Sequence, residues 1–432
     1  MFQINSEMLS RRTALFFAAL ACLFAIVLAP TRAGASSSTD VKRAMTALSG
    51  GAGAYAWNIT DGRAIAGRNA GTGRIIASNT KLFTTAAILS RYGTGGRFST
   101  GVWADGSMAA GTLTGDIYLR GGGDPLFGTA AFVTTNFGSG ATIEKLAADL
   151  KAAGVKKITG QIYGDESVFD SRRGTAYSGY ARNGDIGGML GGLMVNKGWV
   201  SGRWQANPPV YAAQRLRSAI RAVGITVGSK TSAGKTPVGA KRLASVRSLP
   251  MSALVRQMDK PSNNYLAEML AKSLALPVSA ADDDADGGLV PLGNNAATTA
   301  SGNSVSRRHA ASFGSRVTLA DGSGLSRSDN AAPREVVDLL RGVQKTVAFA
   351  DFKAALPIAG VDGTLASRMR RSAAYRRCSA KTGTLSNVSS LAGYCTTAGG
   401  DLVAFAIAQN RVNPGAARPQ QDRVAAQLAA LN

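Results

Sequence analysis

Three short sequence motifs constrain the fold of this chain most, because they can form an active site only if the fold brings them together. In sequence order they are Ser78-Asn79-Thr80-Lys81, Ser262-Asn263-Asn264 and Lys381-Thr382-Gly383. They match the S-x-x-K, S-x-N and K-T-G set of enzymes that acylate a serine of their own. A serine three residues before a lysine carries little weight alone, whereas the ordered set is specific. The fold must therefore bring distant parts of the sequence to one cleft.

Strand patterns near both ends of the chain predict how this is done. Residues 54–59 alternate as a half-buried strand does, and residues 63–68 can return beside them after a turn signal. Residues 402–407 form a strand pattern before a helix over 421–429. We expect an α/β (α+β) fold in which an antiparallel sheet, built from both ends of the chain, packs against helices from the middle.

The middle of the chain indicates an insertion and a loop. Residues 96–205 carry short strands separated by Gly-rich turns, with a helix pattern over 143–153, and predict an inserted α/β domain. Residues 36–95 and 206–432 would then form the main catalytic domain. Residues 276–305 are rich in Ala, Asp, Gly, Ser and Asn, which predicts a flexible low-complexity loop with an acidic cluster.

The first 35 residues are typical of an export signal. Arg11 and Arg12 give a basic start, residues 13–29 form an apolar run, and residues 33–35 offer a small-x-small cleavage site. An uncleaved anchor and a twin-arginine signal are the alternatives. The sequence therefore predicts an exported protein of the periplasm or extracytoplasmic envelope.

Beyond this segment only two cysteines remain, Cys378 and Cys395. A hairpin that turns between Ser386 and Asn387 would place them opposite each other on adjacent strands. An exported protein favours a disulfide there. The alternative is a pair of buried free thiols.

The formal net charge of +23 predicts attraction to polyanions. Export and the scattering of the basic residues argue against nucleic acid, and no nucleic-acid motif is present. Anionic envelope polymers are the better partner, and simple solubility is the plainest explanation. The single histidine, His309, leaves no Ser-His-Asp triad and no zinc ligand set, so neither a metal nor a cofactor is expected.

The S-x-x-K piece has the chemistry of an activated nucleophile. A helix that begins near Ser78 would surround its hydroxyl with free N–H groups, with Lys81 one turn further on. A free lysine has a pKa near 10.4, whereas a base working at neutral pH needs about 7–8. Burial and a second cation, Lys381, would both lower it. The alternatives are an ordinary N-cap for Ser78 and a solvated side chain for Lys81.

The S-x-N piece follows Pro261, which ends a helix, so Ser262 and Asn264 can point into a cleft. Helix capping is the alternative interpretation of both residues. Ser328-Asp329-Asn330 also matches this pattern, and spacing alone does not separate the two.

The K-T-G piece is typical of an exposed edge strand. Lys381 and Thr382 could bind a carboxylate, and Gly383 would let a substrate backbone come close. A plain strand end is the alternative.

Beyond these motifs, the sequence resembles the class C low-molecular-mass penicillin-binding proteins, the D-alanyl-D-alanine carboxypeptidase/endopeptidases. The resemblance covers about residues 50–430 and is specific. It lies in five blocks: Ala77-Ser78-Asn79-Thr80-Lys81-Leu82-Phe83-Thr84-Thr85, Lys260-Pro261-Ser262-Asn263-Asn264, Asp321-Gly322-Ser323-Gly324-Leu325-Ser326-Arg327, Ala359-Gly360-Val361-Asp362-Gly363-Thr364-Leu365 and Ser379-Ala380-Lys381-Thr382-Gly383-Thr384. It assigns the second S-D-N match to the tail of the third block, and so favours Ser262 and Asn264.

The resemblance implies a penicillin-binding/β-lactamase-like transpeptidase fold and a chemistry. Ser78 would attack the penultimate D-Ala carbonyl of a peptidoglycan stem peptide while Lys81 takes its proton. Ser262 would relay a proton to the leaving amine, and Asn264 would hold the substrate amide. β-Lactams would trap the acyl-enzyme.

It also implies a substrate subsite. Lys381, Thr382 and Thr384 would bind the terminal carboxylate, and the N–H groups of Ser78 and Thr384 would form the oxyanion hole. The family's acidic residue for the stem-peptide side chain has no clear counterpart, and Asp185 is the only candidate. The family's inner insertion is missing or reduced.

Two other functions stay open at this point. One is a β-lactamase, although nothing in the sequence resembles a dedicated deacylating glutamate and Glu166 only lies in the predicted inserted domain. The other is a non-catalytic envelope-binding protein.

Overall fold

The structure of the chain, a computed structural model, describes residues 36–277, Leu289 and residues 296–432. The predicted export signal and the acidic cluster of the predicted loop lie outside these residues. Within them, no helix is both long and apolar enough to cross a membrane.

The central sheet has five antiparallel strands drawn from both ends of the chain, in the spatial order β14-β15-β16-β1-β2. They are β1 (Gly51–Asn58), β2 (Arg63–Arg68), β14 (Cys378–Leu385), β15 (Val388–Thr396) and β16 (Leu402–Asn410). The first and last strands along the chain pair from Gly51↔Asn410 to Asn58↔Val403. The expected sheet is therefore present, and β14 forms one of its edges.

Both faces of this sheet are buried, because alternate residues of each strand face different cores. In β16, Val403, Phe405 and Ile407 pack with the helices Ser38–Thr46 and Pro414–Ala429 on one face of the sheet. Ala404 and Ala406 face a second core on the other side, which the helices from the middle of the chain form. The helices of this region are α1 (Ser38–Thr46), α2 (Thr80–Tyr92), α6 (Met251–Asp259), α7 (Asn264–Ser273), α8 (Thr299–Ala311), α9 (Pro333–Gln344), α10 (Phe349–Ala355) and α11 (Pro414–Ala429). Two short strands, β3 (Arg74–Ile75) and β13 (Asn330–Ala331), pair beside them.

A second, seven-stranded sheet forms the inserted α/β region. Its strands are β4 (Ser99–Ala109), β5 (Thr112–Arg120), β6 (Lys157–Ile158), β7 (Ile162–Asp165), β10 (Thr226–Val227), β11 (Thr231–Ala233) and β12 (Lys241–Arg247). Its helices are α3 (Ala130–Phe137), α4 (Ile143–Ala152) and α5 (Pro208–Ala222), and a small hairpin joins β8 (Trp199–Val200) and β9 (Arg203–Trp204).

The predicted boundary of the insertion at residue 205 is wrong. β10 and β11 pair in parallel with β6 and β7, and β12 pairs antiparallel with β4. The apolar side of α5 is buried in the core of this same sheet. The insertion therefore extends to Arg247, and α5 belongs to it rather than to the catalytic domain.

The predicted loop over 276–305 ends earlier in the chain than expected. α8 begins at Thr299, and the Thr298 hydroxyl caps it by accepting from the Ser301 N–H. Capping by a threonine stabilises a helix start whose composition otherwise resembles a loop.

The β14–β15 hairpin turns at Ser386 and Asn387, as predicted, because Leu385 pairs with Val388. Cys378 lies opposite Cys395, and the two are joined by a disulfide. The bridge therefore fastens the strand that carries the K-T-G piece to its neighbour.

Candidate active site

Ser78 lies in a 3-10 turn, Ala77–Asn79, that leads directly into α2. The regular helix begins at Thr80, two residues later than the sequence suggested. Two glycines let other backbones reach this turn. A Cβ at Gly324 would lie 2.0 Å from the Ala77 carbonyl oxygen, and one at Gly383 would lie 2.7 Å from the Ile76 carbonyl oxygen. The backbone around Ser78 is therefore held between two segments that have no room for a side chain at these positions.

Lys81 is fully buried directly behind Ser78. Its Nζ lies 3.0 Å from Ser78 Oγ, 2.8 Å from Asn264 Oδ1 and 2.6 Å from the Ser323 carbonyl oxygen. The last two atoms only accept hydrogen bonds, so they use both N–H groups of a neutral amine. The amine lone pair is then left facing the Ser78 hydroxyl, which is the arrangement a general base needs.

Burial lowers the pKa of Lys81 to about 8, while the charges of Asp259, Asp321, Glu268 and Asp329 oppose that shift. Burial and the charge of Lys81 lower the pKa of Lys381. Because repulsion between two ammonium groups is mutual, a protonated Lys381 also opposes protonation of Lys81.

The S-x-N loop and the K-T-G strand meet in a direct contact. Lys381 Nζ donates to Ser262 Oγ at 2.8 Å and to the Thr382 carbonyl oxygen at 2.9 Å. Ser262 has a φ of +61°, a conformation that turns the chain sharply between α6 and α7. Asn263 caps α7, so Asn264 becomes the first residue of that helix and its side chain reaches Lys81. The three motifs therefore meet at one place.

The free edge of β14 faces this site. The Ala380 N–H points away from β15 and donates to the Pro357 carbonyl oxygen. In an antiparallel strand, the N–H groups of every second residue point to the same side. The N–H groups of Thr382 and Thr384 therefore point to the same open edge. Gly383 makes room for Ile76 and for the Ser390 hydroxyl of the next strand, and its expected part in giving access to a substrate backbone stays a prediction.

A cavity of about 490 Å³ opens over these groups. Its lining contains hydroxyl, amide and guanidinium side chains: Ser78, Ser262, Asn264, Thr364, Ser367, Arg368, Thr382, Thr384 and Arg418. Sequence reasoning missed Ser367, Arg368 and Arg418. Thr364 stood in a quoted block without a role, and its hydroxyl lies 2.7 Å from that of Thr382.

Asp185 reaches the site through its backbone. Asn264 Nδ2 donates to the Asp185 carbonyl oxygen at 2.9 Å, whereas the Asp185 carboxylate accepts from the Tyr177 hydroxyl at 2.7 Å. The inserted region therefore contacts the S-x-N asparagine, and an exposed carboxylate is held nearby by Tyr177. Neither Asp185 nor Tyr177 is among the residues that line the 490 Å³ cavity.

Buried acids on the far side of Lys81 organise the loop that holds it. Asp321 accepts from the N–H groups of Gly324 at 2.7 Å and Ser326 at 2.6 Å, and Glu268 accepts from that of Ser323 at 2.8 Å. Both acids are fully buried. Sequence reasoning missed Glu268, whereas Asp321 stood in a quoted block without a role. Together they fix the Ser323 carbonyl, which accepts a hydrogen bond from Lys81.

The second S-D-N match lies behind the nucleophile rather than in the cleft. Asp329 is buried, and it accepts from the Thr80 hydroxyl at 2.8 Å and the Ala320 N–H at 2.6 Å. Its role is to support the start of α2. Glu166, in the inserted region, forms an ion pair with Arg173 at 2.5 Å, which occupies its carboxylate.

Within residues 36–277 and 296–432, no group of three or more His, Cys, Asp or Glu side chains is arranged to hold a metal ion. His309 is half-buried and packs edge-on against Phe313, rather than lying free at the surface.

Comparison with known proteins gives concordant matches. The chain matches the D-Ala-D-Ala carboxypeptidase 3 (S13) family over residues 39–182 and 195–431. It is 29% identical to the D-alanyl-D-alanine carboxypeptidase of Actinomadura sp. (strain R39), over 85% of this chain and 79% of that protein.

Two solved structures share the fold. Penicillin-binding protein 4 of Haemophilus influenzae superposes with a TM-score of 0.67 at 22% identity, over 90% of this chain and 97% of that one. The penicillin G-acylated predatory endopeptidase of Bdellovibrio bacteriovorus superposes with a TM-score of 0.52 at 16% identity, over 87% of this chain and 91% of that one.

Proposed function

The chain belongs to the D-Ala-D-Ala carboxypeptidase 3 (S13) family, a family of serine-type hydrolases, and we propose that Ser78 is its nucleophile. The observation that carries this proposal is the 3.0 Å contact between Lys81 Nζ and Ser78 Oγ at the floor of the cleft. A buried amine with a pKa near 8 is a competent base close to neutral pH.

The acylation step follows from this contact. Ser78 Oγ bonds to the penultimate D-Ala carbonyl carbon of a stem peptide, and its proton moves to Lys81. The negative charge that develops on the carbonyl oxygen is bound by the N–H groups of Ser78 and Thr384. Removing one such donor typically costs about 10²–10³ in rate.

Collapse of this intermediate breaks the C–N bond and releases the terminal residue as an amine. Ser262 is within hydrogen-bond distance of Lys381, so it can pass a proton to the leaving nitrogen and regain one from the lysine. Water then attacks the ester on Ser78: its oxygen bonds to the acyl carbon, and its proton passes through Ser262 to the neutral Lys381 amine. Lys81 returns its proton to Ser78 Oγ as the ester C–O bond breaks, which restores both lysines and releases the shortened peptide as an acid.

The substrates we propose are peptidoglycan stem peptides, with β-lactams as acylating inhibitors. The terminal carboxylate would lie against Thr382 and Thr384, beside the Lys381 amine. Asn264 would hold a substrate amide through its remaining N–H. Asp185, whose exposed carboxylate accepts from the Tyr177 hydroxyl, would receive a cationic side chain of the stem peptide.

We further propose that the protein acts outside the cytoplasmic membrane, after export directed by residues 1–35. The formal charge of +23 would keep it near anionic envelope polymers. Salt would weaken that attraction, because it is a long-range electrostatic effect.

The test is covalent labelling by a fluorescent penicillin, together with D-Ala release from a pentapeptide and from a cross-linked peptide dimer. The wild type should be labelled and Ser78→Ala should not. Ser367→Ala is the matched control, because this serine lines the same cavity but has no lysine partner, and it should still be labelled. Labelling that survives Ser78→Ala rejects the proposed nucleophile, and rapid nitrocefin turnover would indicate a β-lactamase instead.

A further inference from the structure

One wall of the cleft carries positive charge that the three motifs do not account for. It is formed by Thr364, Ser367, Arg368 and Arg418, next to Thr382. None of the described residues that line the cavity is acidic. The wall is therefore suited to an anion.

The two arginines differ in how their charge is balanced. Arg368 Nε and Nη2 donate to Asp422 Oδ1 at 3.0 and 2.6 Å, so the Arg368 charge is matched. Its Nη2 also lies 3.3 Å from the Arg418 carbonyl oxygen, which ties the first turns of α11 to this wall. Arg368 thus fixes the backbone at Arg418 beside the cavity.

Arg418 has no such partner. In the part of the chain that the structure describes, its exposed guanidinium makes no hydrogen bond or ion pair. It lines the same cavity as Ser78 and Thr382. The guanidinium fork matches a carboxylate in shape and charge.

The neighbouring hydroxyl pair adds a donor. Thr364 Oγ1 and Thr382 Oγ1 are 2.7 Å apart, and one of them donates to the other. Two hydroxyls carry two protons, so one O–H remains to donate to a ligand. A hydroxyl donor and an unpaired guanidinium on one wall make a complementary pair for an anionic oxygen group.

We propose that Arg418 binds the free carboxylate of the leaving D-residue and so selects substrates that bear one. The proposal rests on the function proposed above and adds a specificity-determining residue from the C-terminal helix. Arg418 takes no part in proton transfer, and its effect falls on substrate binding.

The experiment compares a peptide ending in D-Ala-D-Ala with the same peptide amidated at its C-terminus. Arg418→Gln should lower kcat/KM for the free acid about tenfold and leave that for the amide unchanged, as expected for one exposed charge-assisted contact. Arg418→Lys should restore part of the loss. Arg423→Gln is the matched control, because Arg423 lies on α11, is exposed and does not line the cavity.

Binding of both peptides to Ser78→Ala protein, measured by calorimetry, gives a readout without catalysis. Adding Arg418→Gln to that protein should weaken binding of the acid alone by the same factor. Equal effects on acid and amide, or no effect on either, would overturn the proposal. If the acid-specific loss of binding appears but the wild type releases no D-alanine, the catalytic function fails while the subsite stands.

Discussion

The base role of Lys81 predicts a steep pH dependence of acylation. Only the neutral amine can take the Ser78 proton, and burial lowers the pKa of Lys81 to about 8. About a tenth of the molecules then carry a neutral amine at pH 7, and about a hundredth at pH 6. The second-order rate constant for labelling by a fluorescent penicillin should rise about tenfold per pH unit below 8 and level off above it.

Asp259 gives a directed perturbation of that profile. It is fully buried, and its negative charge raises the pKa of Lys81 against the effect of burial. Burial raises the pKa of Asp259 itself to about 6, so this carboxylate is ionised above pH 7. Asp259→Asn removes the charge and should move the midpoint of the labelling profile to lower pH.

Thr85→Val is the control for this change. The Thr85 hydroxyl donates to Asp259 Oδ2 at 2.7 Å, so the variant removes the hydrogen bond but keeps the carboxylate. Its midpoint should stay closer to that of the wild type. A profile that is flat between pH 6 and 9, or a midpoint that rises in Asp259→Asn, would refute the assignment of Lys81 as the base.

Three further changes test the scaffold. Replacing Cys378 and Cys395 together by Ala should lower the melting temperature, because a bridge across 17 residues contributes on the order of 3 kcal/mol in the chain-entropy model, and penicillin labelling should persist. Gly383→Ala should abolish labelling, since its Cβ would lie 2.2 Å from a hydroxyl of the next strand, whereas Gly95→Ala, with open space around it, should not. Asp321→Asn should lower both the melting temperature and the labelling rate, because an amide N–H₂ would face backbone N–H groups at a cost of about 1–3 kcal/mol; unchanged labelling would contradict its positioning role.

Much of the fold could be predicted from local patterns. The turn at Ser386-Asn387 fixes which residues of the hairpin lie opposite each other, and the apolar alternation of the terminal strands indicates which side of each strand is buried. The sheet and the hairpin could therefore be predicted from the sequence. The extent of the insertion could not be predicted in this way. β10 and β11 span only two and three residues, and their partners lie far back in the chain. The apolar pattern of a helix such as α5 predicts that one side of the helix is buried, but it does not indicate which sheet that side packs against.

The site residues that belong to a motif could be predicted from the sequence, whereas the buried acidic residues around them could not. Ser78, Lys81 and Lys381 stand in recognisable spacings. Asp259 and Glu268 stand within helices α6 and α7, where an acidic residue is usually solvated. Their burial depends on tertiary packing around the two lysines, and no local pattern indicates it.

These buried acids influence both the pKa of Lys81 and the position of its amine. Desolvation alone would weaken a buried ammonium strongly, and the surrounding carboxylates restore part of its affinity for a proton. Glu268 and Asp321 also accept hydrogen bonds from the backbone that presents the Ser323 carbonyl to the amine. A change in Asp321 should therefore alter both the midpoint and the plateau of the pH profile. Burial raises the pKa of Glu268 to about 8, so it carries little charge below that pH and its loss should alter mainly the plateau. Asp259 accepts a hydrogen bond from the Thr85 hydroxyl rather than from that loop, so its removal should alter mainly the midpoint.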